Sequence, residues 1–217
     1  MKYKLNSWVM KNKTFTIIFF ILYPFFLGSS ENGWQKVNEE SQIKVYLRPS
    51  SIQYLDIMKG VGLVDGSPEK IAYILLDSTQ KKNWDGLKKE KVLEQKSVIN
   101  KVFYQSYEVP FPFSNRDIVF RITCEKIKGG LLIKYTSENH PKAPKTVGER
   151  ATINAKYYLK RIKGNKTLAT VEVIFDLKGD IPSFISNIIS KKWPISVIKH
   201  VRRKIKKDWV KELNYAY

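Results

Sequence analysis

Arg116 and Asp117 stand side by side at the head of an apolar run, just after the stretch Pro110-Phe111-Pro112-Phe113-Ser114-Asn115. A guanidinium and a carboxylate can pair, hold a charged ligand, or fix two segments of chain to each other. Neighbouring side chains of a strand point to opposite faces, so the two cannot both enter one cavity. Each must therefore find its partner on another element. An exposed ion pair contributes only about 0–1 kcal/mol, whereas an unpaired buried charge costs several. A buried member of the pair must then be partnered. Structural bracing is the preferred role, and contact with a ligand headgroup is the alternative.

Few other residues offer chemistry. There are two histidines, His140 before a proline and His200 in a basic stretch, and one cysteine, Cys124. No His-Glu-x-x-His or paired-cysteine spacing occurs, so neither a metal nor a cofactor is expected. A phosphate loop, a dinucleotide fingerprint and a nucleophile elbow are also missing from the sequence. A lone cysteine cannot form an internal disulfide, and Cys124 reads as a small core residue.

The elements that must position these groups are mostly strands. Phe103 to Val109 is aromatic and β-branched; Pro110 and Pro112 end it, and Ile118, Phe120, Ile122 and Cys124 share one face of the next strand. Gly129-Gly130 then turns the chain into Leu131 to Tyr135. In Ala151 to Arg161, Ile153, Ala155, Tyr157 and Leu159 alternate with polar residues; in Thr167 to Leu177, Ala169, Val171, Val173, Phe175 and Leu177 do the same. Such alternation describes antiparallel sheet with one covered and one wetter face. Earlier, Ile43, Val45 and Leu47 predict a strand, as does Tyr54 to Val64 with Leu55, Ile57, Val61 and Leu63 on one face. Gly60 and Gly62 there mark a bend or a close backbone approach. Gly33 to Val37 is read as a turn of helix. Val92 and Leu93 lie in a further strand, and Trp84-Asp85-Gly86 reads as a turn with a buried tryptophan.

Two helices are expected. Ser67-Pro68-Glu69 supplies an N-cap, a first-turn proline and an acid at the positive end of the dipole, with the stop near Asp77. Pro182 to about Leu213 is the longest helical pattern, with Pro194 expected to kink or restart it. Ile195, Ile198, Val201, Ile205, Trp209 and Leu213 recur at spacings of three and four; Lys199, Arg202, Arg203, Lys206 and Lys207 take another side. An apolar face of this kind can close a core or a cavity.

The bulk charge is +19, from 39 Lys plus Arg against 20 Asp plus Glu. Nucleic acid and anionic membrane are the physical candidates for such an excess. Lys2, Lys4, Lys11 and Lys13 precede an apolar run of 13 residues, Phe15 to Leu27, and Gly28-Ser29-Ser30 follows. This is the layout of a secretory signal peptide over residues 1–30, with a retained N-terminal anchor as the alternative. The run is short of the roughly 20 residues that span a bilayer. Export to the periplasm or the extracellular space would leave 19 − 4 = +15, directed at membrane lipids, so nucleic acid is not expected as a partner. Lys199, Arg202, Arg203, Lys206 and Lys207 are the expected membrane-facing group.

The chain from Tyr104 to Asp117 resembles the Pro-aromatic-Pro-x-Ser-x-Arg-Asp signature of START domains, the StAR-related lipid-transfer modules, in their bacterial form. Ser67-Pro68-Glu69-Lys70-Ile71 with Leu75-Leu76-Asp77, Asn83-Trp84-Asp85, His140-Pro141-Lys142-Ala143-Pro144 and Gly179-Asp180-Ile181-Pro182 match other family segments in the same order. The resemblance runs from about Gly33 to Lys207. It implies an α+β helix-grip fold for residues 31–217: a curved antiparallel sheet around a long C-terminal helix, with an apolar cavity between them. It implies binding, and transfer, of a lipid or another apolar small molecule by a monomer. The candidate cavity residues are Tyr104, Arg116, Phe120 and Ile122 around the proline corner, Ile153 and Tyr157, then Val171, Val173 and Phe175, with Ile188 and Ile198 from the helix. Two alternatives stay open: a helix-grip enzyme of the cyclase or hydratase type, and a basic nucleic-acid-binding module.

Overall fold

The computed structural model describes residues 33–52, 55–77, 86–109, 111, 113–146, 148–179, 181 and 183–215, with the backbone alone for 183–190. The proposed signal or anchor segment and Trp84-Asp85 lie outside the described residues. Among the described residues no helix is long and apolar enough to cross a membrane.

The order of elements is β1 (Gln35–Glu40), β2 (Ile43–Pro49), β3 (Asp56–Asp65), α1 (Pro68–Leu76), β4 (Leu87–Ser97), β5 (Asn100–Tyr107), β6 (Arg116–Ile127), β7 (Gly130–Ser137), β8 (Glu149–Arg150), β9 (Thr152–Ile162), β10 (Lys166–Asp176) and α2 (Ser183–Lys204). One sheet runs β1-β2-β3-β10-β9-β7-β6-β5-β4. All neighbours on that path are antiparallel; β8 alone pairs parallel, with β6. The two helices pack on the same side of it, α2 over β2, β3 and β10 and α1 over β7 and β9. This is the α+β arrangement expected, an antiparallel sheet with a C-terminal helix against it.

The alternation in β9 and β10 translates directly into burial. Ile153, Ala155, Tyr157, Leu159, Ala169, Val171 and Val173 all enter one core. α1 begins where its caps place it: Ser67 Oγ accepts from Lys70 N at 3.2 Å and Asp77 caps the other end. Ser67 Oγ also donates to the Glu212 carboxylate at 2.7 Å, which ties the C-terminal tail to the start of α1.

Four local expectations are corrected. The segment read as a turn of helix, Gly33 to Val37, instead leads into β1, which pairs with β2 through a bulge between Lys36 and Asn38. In β3 the face is reversed. Met58, Gly60, Gly62 and Val64 are buried, while Leu63 is 45% exposed. The helix decides this, because a Cβ on Gly60 would stand 2.5 Å from Pro194 Cβ, and one on Gly62 would stand 3.3 Å from Ile198 Cγ2. Only glycines let α2 lie this close to the strand. α2 passes through Pro194 as one helix rather than restarting there, with the ring seated on Gly60. Finally, α2 stops at Lys204, so Ile205, Trp209 and Leu213 are reached by turns and extended chain. Like charges at i,i+4, such as Lys199/Arg203, Arg202/Lys206 and Arg203/Lys207, weaken a helix there. Ile205 and Leu213 are buried all the same, which is why their spacing reads as helical.

The core's aromatic residues form a ladder across neighbouring strands. Ring centroids are 6.0 Å apart for Phe103–Phe120, 5.1 Å for Phe120–Tyr135, 4.9 Å for Tyr135–Tyr157 and 6.3 Å for Tyr157–Trp193 of α2. The ladder divides the space between sheet and helix into two parts.

Candidate functional site

On the β3–β10 side of the ladder the space is full. Val64, Leu75, Val171, Ile198 and Val201 enclose a gap of only about 10 Å³. On the β5–β6 side a cavity of about 360 Å³ opens. Its floor is Ile118, Phe120, Tyr135, Ile153, Phe175 and Leu177, and its roof is the face of α2 that carries Trp193, Ser196, Val197 and His200. Gly86, Glu108 and Val109 border one end, with Lys192 and Arg203 also in the lining.

The polar groups of the floor are bonded within the protein. The Tyr107 hydroxyl donates to Gln105 Oε1 at 2.6 Å, and the Gln105 amide donates to Glu90. The Tyr135 hydroxyl donates to Leu75 O at 3.3 Å. Burial pushes the Tyr107 and Tyr135 phenols well above their ordinary value, so both stay neutral and the floor presents rings rather than charge.

Arg116 closes the far end of the cavity and is itself 4% exposed. Its Nε donates to Leu177 O at 2.7 Å, Nη1 to Ser114 O at 2.6 Å and to Ser114 Oγ at 2.8 Å, and Nη2 to Lys178 O at 3.2 Å. The guanidinium thereby fastens the end of β10 to the start of β6. Asp117 points to the other face, where it accepts from Arg150 Nε at 2.6 Å, and Arg150 Nη2 donates to Pro144 O at 2.7 Å. Two adjacent charges thus brace two different joints, one on each side of the sheet. Buried and fully bonded, both meet the condition set by the cost of isolated charge.

Of the predicted cavity residues, the fold brings four to the lining: Arg116, Phe120, Ile153 and Phe175. Tyr157, Val171 and Ile198 border the small gap in the filled part instead, and Ile122 and Val173 are core. Tyr104 faces the opposite side of the sheet, in a separate cluster with Leu93, Val102 and Val119 beneath Ala143. β5 buries Val102, Phe103, Tyr104 and Gln105 in succession, so alternation could not tell its two faces apart. The side chain of Ile188 lies outside the described residues.

Lys199, Arg202, Arg203, Lys206 and Lys207 do not form one free surface. Lys199 pairs with Glu40, and Arg202 donates from Nε to Leu63 O at 2.8 Å and from Nη1 to Ser41 O. Arg203 lines the cavity, while Lys206 and Lys207 are exposed in the turn beyond the helix. Missed at the sequence level were Ile118, Leu177, Gln105, Tyr107, Trp193, Val197 and His200. The Lys192-Ser196-His200 spacing of four was a signal for one helix face, but nothing in the sequence said what that face covers.

The two remaining chemical candidates are structural. His140 Nε2 lies 3.3 Å from Glu94 Oε2, and Arg121 bonds Glu138 at 2.9 Å and Glu94 at 3.4 Å. The Arg121 guanidinium holds the Glu94 carboxyl below the usual carboxylate range. This network pins the loop after β7 to the outer face. Burial pushes the Cys124 thiol up to about 12.

This geometry has relatives. The START domain family matches residues 27–209. The human phosphatidylcholine transfer protein is 31% identical over 178 residues, covering 78% of this chain and 82% of its own. Human StAR-related lipid transfer protein 5 superposes with a TM-score of 0.72 at 19% identity, over 80% of this chain and 86% of its own. The STAR-related lipid transfer protein fragment from Xanthomonas axonopodis gives 0.70 at 20% identity, over 81% and 99%. With a family match across most of its length and a cavity enclosed between sheet and C-terminal helix, the chain belongs to the START domain family.

Proposed function

We propose that the protein binds one lipid or other apolar small molecule in the cavity under α2 and carries it between membranes of the cell envelope. The observation that carries this reading is the cavity itself, about 360 Å³ over a floor of Ile118, Phe120, Ile153 and Phe175, within the range of small-molecule sites. The driving force is desolvation: each CH₂ taken from water contributes about 0.8 kcal/mol, before the costs of association. The polar groups of the floor are bonded to protein, which supports a carrier over a cyclase or hydratase. The basic charge of the chain and the exposed Lys206 and Lys207 support attraction to anionic headgroups, at about 1 kcal/mol per basic residue near the surface. The N-terminal pattern supports export.

Native mass spectrometry of protein incubated with a total lipid extract is the test. A bound lipid at one-to-one stoichiometry, lost when Ile153→Trp fills the cavity, is expected; absence of any adduct and of any uptake of apolar probes would remove the reading. Vesicle co-sedimentation should rise with anionic lipid and fall with salt. N-terminal sequencing of the mature protein should begin near Glu31.

A further inference from the structure

α2 turns a mixed face to the cavity: Trp193 and Val197 close it, and polar and basic residues flank them. Its apolar side, with Pro194, Ile198 and Val201, rests on the filled part of the core. The side above the cavity carries Lys192, Ser196, His200 and Arg203, one turn after another along the helix. The cavity therefore has an aromatic and aliphatic floor and a roof whose exposed edge is basic.

The cations of this edge differ from their neighbours on the helix. Lys199 is paired with Glu40, and Arg202 is spent on the carbonyls of Leu63 and Ser41. Neither Lys192 nor Arg203 has a carboxylate partner among the described residues. Glu108, the one carboxylate in the lining, is bridged to Lys88 at 2.6 Å. Arg116 is engaged by carbonyl oxygens. Arg116 apart, the cations without a carboxylate partner among the described lining residues are therefore Lys192 and Arg203 of α2.

We infer that the preferred ligand is a single-chain amphiphile with an anionic head, its chain on the floor and its carboxylate or phosphate at the basic edge of the roof, held by Lys192 or by Arg203. This rests on the lipid-binding reading above. A cavity of about 360 Å³ lies at the small end of small-molecule sites, which suits one alkyl chain better than two. Lys192 and Arg203 are both exposed at the rim, where they attract an anion from solution, and charge-assisted hydrogen bonds are the stronger kind. A cationic or uncharged head gains nothing from this edge.

The test compares cis-parinaric acid with its methyl ester, which share a chain and differ in charge. By fluorescence titration of the full protein, the acid should bind at least about tenfold more tightly. In the double variant Lys192→Gln/Arg203→Gln the ratio of acid to ester affinity should fall to about one, and far-UV circular dichroism matching that of the wild type shows that the variant is folded. Displacement of the probe by oleate and by lysophosphatidate, each against lysophosphatidylcholine, distinguishes a carboxylate from a phosphate head; equal displacement by lysophosphatidylcholine overturns the inference. Equal binding of acid and ester also overturns it and leaves lipid binding intact. A preference that survives in the double variant removes the assignment to α2. Binding of neither probe removes both the inference and the reading beneath it.

Discussion

The two ends of the space beneath α2 are built from similar residues and do opposite things. At the β3 end, Gly60 and Gly62 let Pro194 and Ile198 approach the strand, and the remaining gap is about 10 Å³. At the β6 end, Trp193 and Val197 stand over Phe120, Ile153 and Phe175 with about 360 Å³ between them. Hydrophobicity does not distinguish the ends. The separation of helix and sheet does, and at the β3 end the glycines let it close. One end clamps the helix and the other keeps a volume open.

The largest effect should come from cutting the brace. Arg116→Met leaves the carbonyls of Leu177, Ser114 and Lys178 without their donor. One buried and two half-buried carbonyls stripped of a charged donor cost about 3 kcal/mol together, or a fall in Tm of roughly 6–12 °C for a domain of this size. Urea and thermal unfolding measure it; a loss under about 1 kcal/mol would mean that the join between β10 and β6 does not depend on the guanidinium.

Gly60→Ala attacks the clamp. Its Cβ would meet Pro194 Cβ at 2.5 Å, so helix or strand must shift, at about 1–3 kcal/mol. Wild-type stability in this variant would show that α2 is not seated as described.

A matched pair then sets the two ends against each other. Val171→Trp overpacks the filled end and should cost about 1–3 kcal/mol. Ile153→Trp enters the open end and should cost under about 1 kcal/mol while abolishing uptake of an apolar fluorescent probe. Equal destabilisation by the two, measured by thermal unfolding, would erase the distinction between filled and open.

The smallest effect is kinetic. With its thiol pushed up to about 12 by burial, Cys124 is about 10⁻⁴ thiolate at pH 8. Iodoacetamide should label it slowly in the native state and promptly in denaturant; fast native labelling would mean that the strand face opens.

The parts of the fold legible in sequence were those in which one short-range rule acted alone. β9 and β10 alternate because one face is covered, and α1 starts at Ser67 because cap, proline and acid coincide there. Phe120, Ile153 and Phe175 were found for the same reason, since parity in a regular strand fixes the face. Where two elements meet, the local pattern misled. Leu55, Ile57, Val61 and Leu63 look like the buried side of β3, but the helix selects the side with the smallest residues, and Gly60 and Gly62 are the inward ones. Both faces of β5 are covered, so Tyr104 could not be assigned. Lys199, Arg202, Arg203, Lys206 and Lys207 share a helical face on paper, yet the helix ends at Lys204 and two of the cations bind the far strands.

The faces of β9 and β10, the start of α1 and the opposed faces of Arg116 and Asp117 were determined by the sequence alone, because their physics lies within a few residues. Which part of the core is solid and which is hollow was decided only in three dimensions. That outcome depends on the distance between α2 and the sheet, and at the filled end the distance is set by a contact far apart in the chain, Pro194 on Gly60.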